Sequence, residues 1–174
     1  MKNDIKILDD FLTKYDFENI KNKLTSNSFP WYYNDHVTDV KETNSSNFQF
    51  CHMFYERHVP NSDFMHLVSP VMEKLKMTAT ARIKANLLLK TKEIKIFDYH
   101  KDFLWNHKWW SAIYYINTNN GKTLFKNIDK EIESKENRLI MFDGRLKHTG
   151  TTCTDKKNRI VINFNFYNKE LDEL

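Results

Sequence analysis

The hydrophobic pattern of the first half of the chain predicts one short strand and two helical segments. Residues 5–8 alternate enough to predict a short strand. Thr13 starts a capping-box-like sequence, and apolar residues in 17–24 then fall on one helical face. A second helical pattern covers residues 64–75, and Pro70 interrupts it, which indicates that a separate helix begins there.

From residue 79 onward the pattern changes to short segments rich in branched and aromatic residues. These segments are predicted strands at residues 81–89, 94–99, 111–117, 122–125, 138–142 and 159–167. Asn-Asn-Gly at 119–121 and Asp-Gly at 143–144 are hairpin signals. Helices followed by at least six strands predict an α+β fold, in which N-terminal helices pack on one sheet of a double-stranded β-helix (a cupin-like jelly roll).

The composition is that of one globular domain covering residues 1–174. The chain has 40% hydrophobic and 29% charged residues, and no repeat or linker marks a boundary. No apolar run is long enough to span a bilayer, and the charged N-terminal segment does not resemble a signal peptide. Cys51 and Cys153 do not form a disulfide framework. We therefore expect a cytoplasmic protein.

The net charge of +4 raises the possibility of a nucleic-acid partner, but the type of basic residue argues against it. Only 5 of the 27 basic residues are arginine, and all 27 are spread along the chain with acids between them. Recognition of phosphates and bases relies on clustered arginine. A solvated, lysine-rich surface is the simpler interpretation.

A possible metal site begins at the end of the predicted strand 94–99. His100 and Asp102 point to the same side of an extended chain, so that both can reach one ion. His148 follows the strand that ends at Phe142, and it is a good candidate for a third ligand. Two imidazoles and one carboxylate make the facial triad of non-haem Fe(II) oxygenases, whereas histidines and cysteines alone would indicate zinc.

An oxygenase of this kind also needs a cation that holds the remote carboxylate of a keto-acid co-substrate. Arg159 lies at the start of the strand that follows His148, and its guanidinium can meet a carboxylate in a two-pronged ion pair. Each of these signals is weak alone. The order of His-x-Asp, a distal histidine and then an arginine on alternating strands makes the set informative.

The stretch from Tyr99 to Tyr167 resembles the small, prolyl-4-hydroxylase-like 2-oxoglutarate/Fe(II)-dependent oxygenases, of the type carried by phages and marine bacteria. The matching segments are YHKD at 99–102, SAIYYIN at 111–117, NRLIMFDG at 137–144, KH at 147–148 and NRIVIN at 158–163. The resemblance implies a dioxygenase (hydroxylase) that couples oxidative decarboxylation of 2-oxoglutarate to hydroxylation of a C–H bond. It also implies Fe(II), 2-oxoglutarate and O₂, with ascorbate as a further cofactor, and it favours a prolyl or other protein side chain as substrate.

The same resemblance assigns roles residue by residue. His100, Asp102 and His148 match the catalytic iron ligands, and Arg159 matches the group that binds 2-oxoglutarate. Tyr115 and Asn86 match two further co-substrate contacts, although a core aromatic and a structural hydrogen bond are equally good explanations for them. Leu88 stands where related families often have tyrosine.

Four aromatic residues are candidates for contact with the prime substrate. Trp105 and Trp109 lie in the segment after His-x-Asp, where loops often cover the site, and Trp31 and Tyr32 follow a proline near the N-terminus. Such side chains can grip a planar or cyclic group. Packing into a sheet is the alternative for each of them.

Three other functions remain open. An AlkB-like nucleobase dealkylase has a similar site, but those relatives usually carry a second arginine soon after the first, and residues 160–168 contain none. A non-catalytic jelly-roll module would hold metal without turnover. A zinc-dependent hydrolase would need a separate general base, and no Asp or Glu is evidently placed for that role.

Overall fold

The computed structural model describes residues 5–37, 47–104, 108–126 and 128–172, and β-strands dominate it. The helical elements are α1 (Lys14–Leu24), a 3₁₀ turn (Met65–Leu67), α2 (Ser69–Lys74) and α3 (Lys169–Asp172). The strands are β1 (Lys6–Leu8), β2 (Tyr32–Asn34), β3 (Gln49–Glu56), β4 (Val59–Pro60), β5 (Ala79–Leu89), β6 (Trp110–Tyr115), β7 (Asn119–Phe125), β8 (Lys130–Ser134), β9 (Leu139–Asp143), β10 (His148–Gly150) and β11 (Asn158–Tyr167).

The strands form two antiparallel sheets. An eight-stranded sheet has the order β1-β9-β6-β11-β5-β3-β2, with β4 paired to β3, and a three-stranded sheet has the order β10-β7-β8. Two antiparallel sheets with few helices are consistent with a jelly roll. The coarse prediction of the fold is therefore confirmed.

The centre of the large sheet is buried on both faces, and its residues alternate between two apolar clusters. Tyr114 and Ile160 belong to the larger cluster, together with Phe17 of α1. Tyr115 and Val161 belong to the smaller one, which also contains Phe125 of the three-stranded sheet. Because neighbours in a strand point to opposite faces, one face of β6 and β11 looks toward α1 and the other looks into the space between the sheets.

The start of α1 forms as the sequence predicted. The Thr13 side chain accepts a hydrogen bond from the backbone N–H of Asp16 at 3.2 Å and satisfies one of the free donors of the first turn. The interruption at Pro70 is also confirmed, since a 3₁₀ turn ends at Leu67 and α2 begins at Ser69 with the proline in its first turn.

The predicted strand at 94–99 is wrong. This segment makes two isolated bridges instead, Ile96 with Thr151 and His100 with His148. Between the two bridges there are four residue steps from position 96 to 100 but only three from 148 to 151. The register therefore slips between the bridges, and a continuous ladder cannot form. The segment remains extended enough to lie against β10, and that contact places the metal-site residues.

The hairpin turn predicted at 119–121 is also wrong, because Asn119, Asn120 and Gly121 belong to β7 and the register with β8 shifts there. Gly121 is needed at this position because a side chain would not fit. A Cβ at Gly121 would lie 2.7 Å from Cδ of Arg159 and 2.8 Å from the Thr152 carbonyl. The turn at Asp143-Gly144 does form, but it joins β9 to β10, which lie in different sheets.

Candidate metal centre and ligand cavity

His100 and His148 are brought together by the backbone. Each donates its N–H to the carbonyl of the other at 3.0 Å, which makes an isolated antiparallel bridge between the 91–104 segment and β10. The two imidazole rings lie 4.6 Å apart between centroids. The backbone therefore pairs the histidine of the His-x-Asp sequence directly with His148.

Asp102 is held beside the two histidines by its backbone and its side chain. Its N–H donates to the Gly144 carbonyl at 3.0 Å. Its Oδ2 accepts a hydrogen bond from Ser111 Oγ at 2.5 Å, and Arg82 Nη2 lies 3.4 Å from its Oδ1. Ligand atoms of His100, Asp102 and His148 all lie within 4.8 Å of one another.

The three side chains point toward one another but do not form hydrogen bonds with one another. His148 Nε2 is 3.7 Å from Asp102 Oδ2, and His100 Nε2 is 3.9 Å from Asp102 Oδ1, both too long for a hydrogen bond. His148 Nδ1 lies 3.0 Å from the Leu146 carbonyl, which can only accept, so this nitrogen carries the proton. His148 Nε2 is then left with a free lone pair, as metal ligation requires.

The surroundings of Asp102 and His100 favour their metal-binding forms. Burial favours the protonated form of Asp102, but His148, Arg82 and the Ser111 hydrogen bond outweigh it and hold the pKa of this carboxyl below its ordinary value. Burial lowers the pKa of His100. An ionised carboxylate and a neutral imidazole are the species that bind a cation.

The donor set fits non-haem Fe(II). Two neutral imidazoles and one carboxylate on one side of an ion leave other coordination positions open for small molecules. A closed structural zinc site would need a fourth protein ligand. Within the part of the chain that the structure describes, no fourth His, Cys, Asp or Glu joins this cluster.

A cavity of about 380 Å³ opens between the two sheets next to this cluster. Its volume is within the range of small-ligand sites in proteins. Strand β5 contributes every second residue to one wall, and β11 does the same beside it. The lining residues of these strands are Arg82, Lys84, Asn86, Leu88, Arg159, Val161 and Asn163.

Arg159 is a buried cation that faces this cavity. Only 4% of it is exposed, and burial lowers the pKa of its guanidinium. Its Nε donates to Ser134 Oγ at 2.9 Å and its Nη2 donates to Thr123 Oγ1 at 3.1 Å. No carboxylate among the described residues forms an ion pair with it. A buried charge without a counter-ion is costly, so the arrangement favours an anionic ligand.

Tyr115 and Asn86 lie close to Arg159 but in different ways. Tyr115 is fully buried, its hydroxyl donates to Thr123 Oγ1 at 2.7 Å, and its ring centroid lies 5.7 Å from Arg159 Cζ. Asn86 lines the cavity itself, and its buried Oδ1 has no hydrogen-bond partner among the described residues. Their proposed contacts with a co-substrate stay predictions.

Three of the four aromatic residues suggested as substrate contacts, Trp31, Tyr32 and Trp109, are not among the residues that line the cavity. Trp31 packs on Phe29 and donates its indole N–H to the Leu24 carbonyl, whereas Tyr32 is exposed on β2. Trp109 contacts Phe103, with ring centroids 5.4 Å apart. Trp105 lies outside the described residues. A role in substrate binding stays a prediction for all four.

Three polar residues around Asp102 were not singled out from the sequence. Arg82 Nε donates to Asn165 Oδ1 at 3.1 Å, and Asn165 Nδ2 donates to Ser111 Oγ at 3.0 Å, so both residues that contact the carboxylate share one partner. A signal was present, because Asn165 lies between two phenylalanines in a predicted strand. Asparagine inside an apolar strand needs partners if it is buried.

The likeness to solved structures agrees with this geometry. A viral collagen prolyl hydroxylase from Paramecium Bursaria Chlorella virus-1, in complex with 2OG, superimposes with a TM-score of 0.60 and 13% identity, over 94% of this chain and 95% of that one. A Trichoplax adhaerens prolyl hydroxylase, bound to a hypoxia-inducible-factor peptide, gives 0.64 and 13% over 95% and 84%. A 2OG-Fe(II) oxygenase family protein from Burkholderia pseudomallei gives 0.64 and 10% over 93% and 84%.

The chain therefore has the fold of the 2OG-Fe(II) oxygenases, and the structures that share it include viral and bacterial prolyl hydroxylases. The resemblance inferred from the sequence motifs is confirmed at the level of the fold. At the level of sequence, no family model and no curated protein matches the chain. None of the helices in the described residues has the length and apolar character needed to cross a membrane.

Proposed function

We propose that this protein is an Fe(II)- and 2-oxoglutarate-dependent dioxygenase that hydroxylates a C–H bond. His100, Asp102 and His148 hold the iron, and Arg159 binds the distal carboxylate of 2-oxoglutarate. Tyr115 and Asn86 support the co-substrate from either side of Arg159. When bound, the iron supplies the coupled chemistry of O₂ reduction, oxidative decarboxylation of 2-oxoglutarate to succinate and CO₂, and substrate hydroxylation.

The observation that carries this proposal is the placement of Arg159 in the same cavity as the three metal-ligand side chains. A metal site alone would fit several functions. A buried guanidinium without an acidic partner among the described residues needs an anion, and a keto acid that also reaches the metal satisfies both requirements.

The residues of the chain fix the orientation of the metal ligands and of Arg159. Ser111 and Arg82 hold the Asp102 carboxylate in place, and the Leu146 carbonyl fixes the tautomer of His148. Thr123 and Ser134 hold the guanidinium of Arg159. A preorganised site of this kind spends little binding energy on rearrangement.

For the substrate we propose a prolyl or other protein side chain, with a small molecule as the next choice. The support is the likeness to two structures described as prolyl hydroxylases, one for collagen and one bound to a hypoxia-inducible-factor peptide. Ascorbate is proposed as an accessory reductant, by resemblance alone.

We also propose that residues 1–174 form one catalytic domain whose helices cover the outer face of the eight-stranded sheet. The packing of Phe17 on Tyr114, with ring centroids 6.2 Å apart, supports this layering. The unpaired state of Cys51 and Cys153 supports a cytoplasmic location.

The experiment is an anaerobic titration of the purified protein with Fe(II) and then 2-oxoglutarate, followed by the visible charge-transfer absorbance of the chelate. The wild type should develop the band, and His148→Ala should abolish it. Arg159→Ala should require roughly ten to a hundred times more 2-oxoglutarate, since it removes charge-assisted hydrogen bonds. Arg57→Ala and His58→Ala, at adjacent exposed positions, are the matched controls and should behave as wild type.

Absence of the band in the wild type, with stoichiometric zinc still bound, would refute the oxygenase and favour a hydrolase or a non-catalytic module. A band without succinate formation in air would also favour the module. If the band forms, salt-dependent binding of DNA or RNA would turn attention to the AlkB-like alternative.

A further inference from the structure

The cavity has a deep end and a mouth. His148 and Arg159 are each only 4% exposed, and they lie at the deep end. By contrast, 37% of the His100 side chain and 32% of the Arg82 side chain are exposed. A co-substrate held by Arg159 would therefore occupy the deep end, and a second reactant would approach from the side of His100 and Arg82.

The guanidinium of Arg159 lies at the deep end of the cavity, and that of Arg82 lies at its mouth. Arg159 pairs with Leu88 in the β5–β11 ladder, and Arg82 pairs with Asn165, six residues further along β11. At about 3.3 Å per residue, six positions correspond to roughly 20 Å of strand. The chain thus places one arginine for the co-substrate and another at the entrance to the same cavity.

The cavity carries an excess of positive charge. Its described lining contains four cationic side chains (Arg82, Lys84, Lys101 and Arg159) and a single carboxylate, Asp102. A divalent metal and the dianion of 2-oxoglutarate cancel each other, so the loaded site keeps this excess. Such a field attracts an anionic substrate and repels a cationic one.

Arg82 is held in a position that leaves donors available. Of its five N–H groups, one donates to Asn165 Oδ1 at 3.1 Å and one approaches Asp102 Oδ1 at 3.4 Å. The described residues provide no hydrogen-bond acceptor for its Nη1. The Asn165 contact fixes the plane of the guanidinium beside the metal ligand, which preorganises it for a planar anion.

We propose that the prime substrate carries a carboxylate, which Arg82 binds at the mouth of the cavity so that a neighbouring C–H bond faces the metal. The inference rests on the proposed function and narrows its substrate class. The carboxylate belongs either to a free acid or to an acidic residue near the target position of a peptide. In this arrangement Arg82 is a specificity-determining residue, and Arg159 serves the co-substrate.

The test uses the protein loaded with Mn(II) and saturating 2-oxoglutarate, and it measures paramagnetic broadening of probe resonances by NMR. Propionate and propionamide represent a free acid and its neutral match. N-acetyl-glutamate N′-methylamide and the corresponding glutamine derivative represent a peptide. At least one acid should bind roughly ten to a hundred times more tightly than its neutral match.

Arg82→Gln should reduce the binding of that acid to the level of the neutral probe, and Arg82→Lys should retain part of it. Arg57→Gln is the matched control and should change nothing. Affinities for Mn(II) and 2-oxoglutarate are measured in every variant. A rise in the 2-oxoglutarate requirement of Arg82→Gln equal to that of Arg159→Ala would overturn the proposal, because Arg82 would then serve the co-substrate.

Two further results would also overturn it. One is equal binding of acid and neutral probes. The other is an acid preference that persists in Arg82→Gln, as expected for a carboxylate bound to the metal itself. These results are distinct from failure of the proposed function, which is judged by the Fe(II)–2-oxoglutarate band. A band without acid preference refutes only the substrate class, and the absence of a band refutes the oxygenase.

Discussion

Ser111 Oγ donates a 2.5 Å hydrogen bond to Asp102 Oδ2, and this contact joins the large sheet to the proposed metal centre. Ser111 lies in β6, whereas Asp102 lies in the irregular segment before it. The same hydroxyl accepts from Asn165 Nδ2 at 3.0 Å. A rigid strand therefore sets the orientation of a ligand that its own segment would hold only loosely.

Ser111→Ala should weaken metal binding by roughly ten- to a hundred-fold, as is usual for partners that orient a ligand. Isothermal titration with Mn(II) measures the affinity without turnover. Ser28→Ala, at an exposed serine, is the control. Unchanged affinity in Ser111→Ala would mean that the backbone contacts of Asp102 are sufficient to place it.

Alanine substitutions at Gly144 and Gly150 should distinguish the metal site from the co-substrate site, because each added Cβ would disturb a different one. The Gly144 carbonyl accepts from the N–H groups of Asp102 and Phe103, and a Cβ there would collide with the Phe103 ring and lie 2.9 Å from Ser111 Oγ. A Cβ at Gly150 would meet only Arg159, with 3.3 Å to Nη1. We expect Gly144→Ala to lose metal affinity and about 1–3 kcal/mol of stability.

Gly150→Ala should retain metal affinity but require several-fold more 2-oxoglutarate, because it shifts only the guanidinium. The pair is compared by Mn(II) titration, urea unfolding and the Fe(II)–2-oxoglutarate band. Loss of metal binding in both variants would indicate general distortion between the sheets and would contradict the separation of the two sites.

The sequence predicted the parts of this site that follow from local periodicity. The alternation in β5 and β11 placed Asn86 and Arg159 in strands, and the His-x-Asp spacing identified two groups that the structure brings together with His148. These features depend only on neighbouring residues and on the two faces of a strand.

The rest depended on pairing between distant segments, which no local pattern contains. Residues 94–99 have a strand-like composition, but the register slip against β10 prevents a ladder. The exposed β2 and the largely polar β8 have no clear apolar alternation, so they were missed. Arg82 and Asn165 contact each other over 83 positions, and only the assembled sheet places them beside Asp102.

A double-mutant cycle can decide how Tyr115 acts. Its hydroxyl donates to Thr123 Oγ1, which also accepts from Arg159. Burial raises the pKa of Tyr115, so it remains a neutral donor. If Tyr115 acts through Thr123, then Tyr115→Phe and Thr123→Val should each raise the 2-oxoglutarate requirement about five-fold, as expected for one hydrogen bond, and the double variant should be no worse.

If Tyr115 binds the carboxylate directly, Tyr115→Phe should keep its full effect in the Thr123→Val background. The 2-oxoglutarate dependence of the chelate band measures all four proteins. Additive effects would therefore exclude the indirect route, and no effect in either single variant would leave Tyr115 as a core aromatic.

The Arg159 guanidinium should favour binding of 2-oxoglutarate but lower the stability of the ligand-free protein. The guanidinium is buried and has no counter-ion among the described residues, and burial lowers its pKa, which indicates that the charged form is disfavoured in the ligand-free protein. Replacing buried ionic groups with apolar residues of similar volume is often neutral or stabilising. We therefore expect ligand-free Arg159→Met to melt at or above the temperature of the wild type.

In the presence of 2-oxoglutarate, the wild type should instead be more stable than Arg159→Met. In the metal-loaded wild type, 2-oxoglutarate at about a hundred times its dissociation constant should add roughly 2.7 kcal/mol to the free energy of unfolding. Arg159→Met should show almost no such increase, while the exposed control Arg57→Met should show all of it. Thermal melting with and without 2-oxoglutarate measures both quantities. A large loss of stability in ligand-free Arg159→Met would mean that the guanidinium serves the fold through Ser134 and Thr123, and the case for an anion site at Arg159 would then be lost.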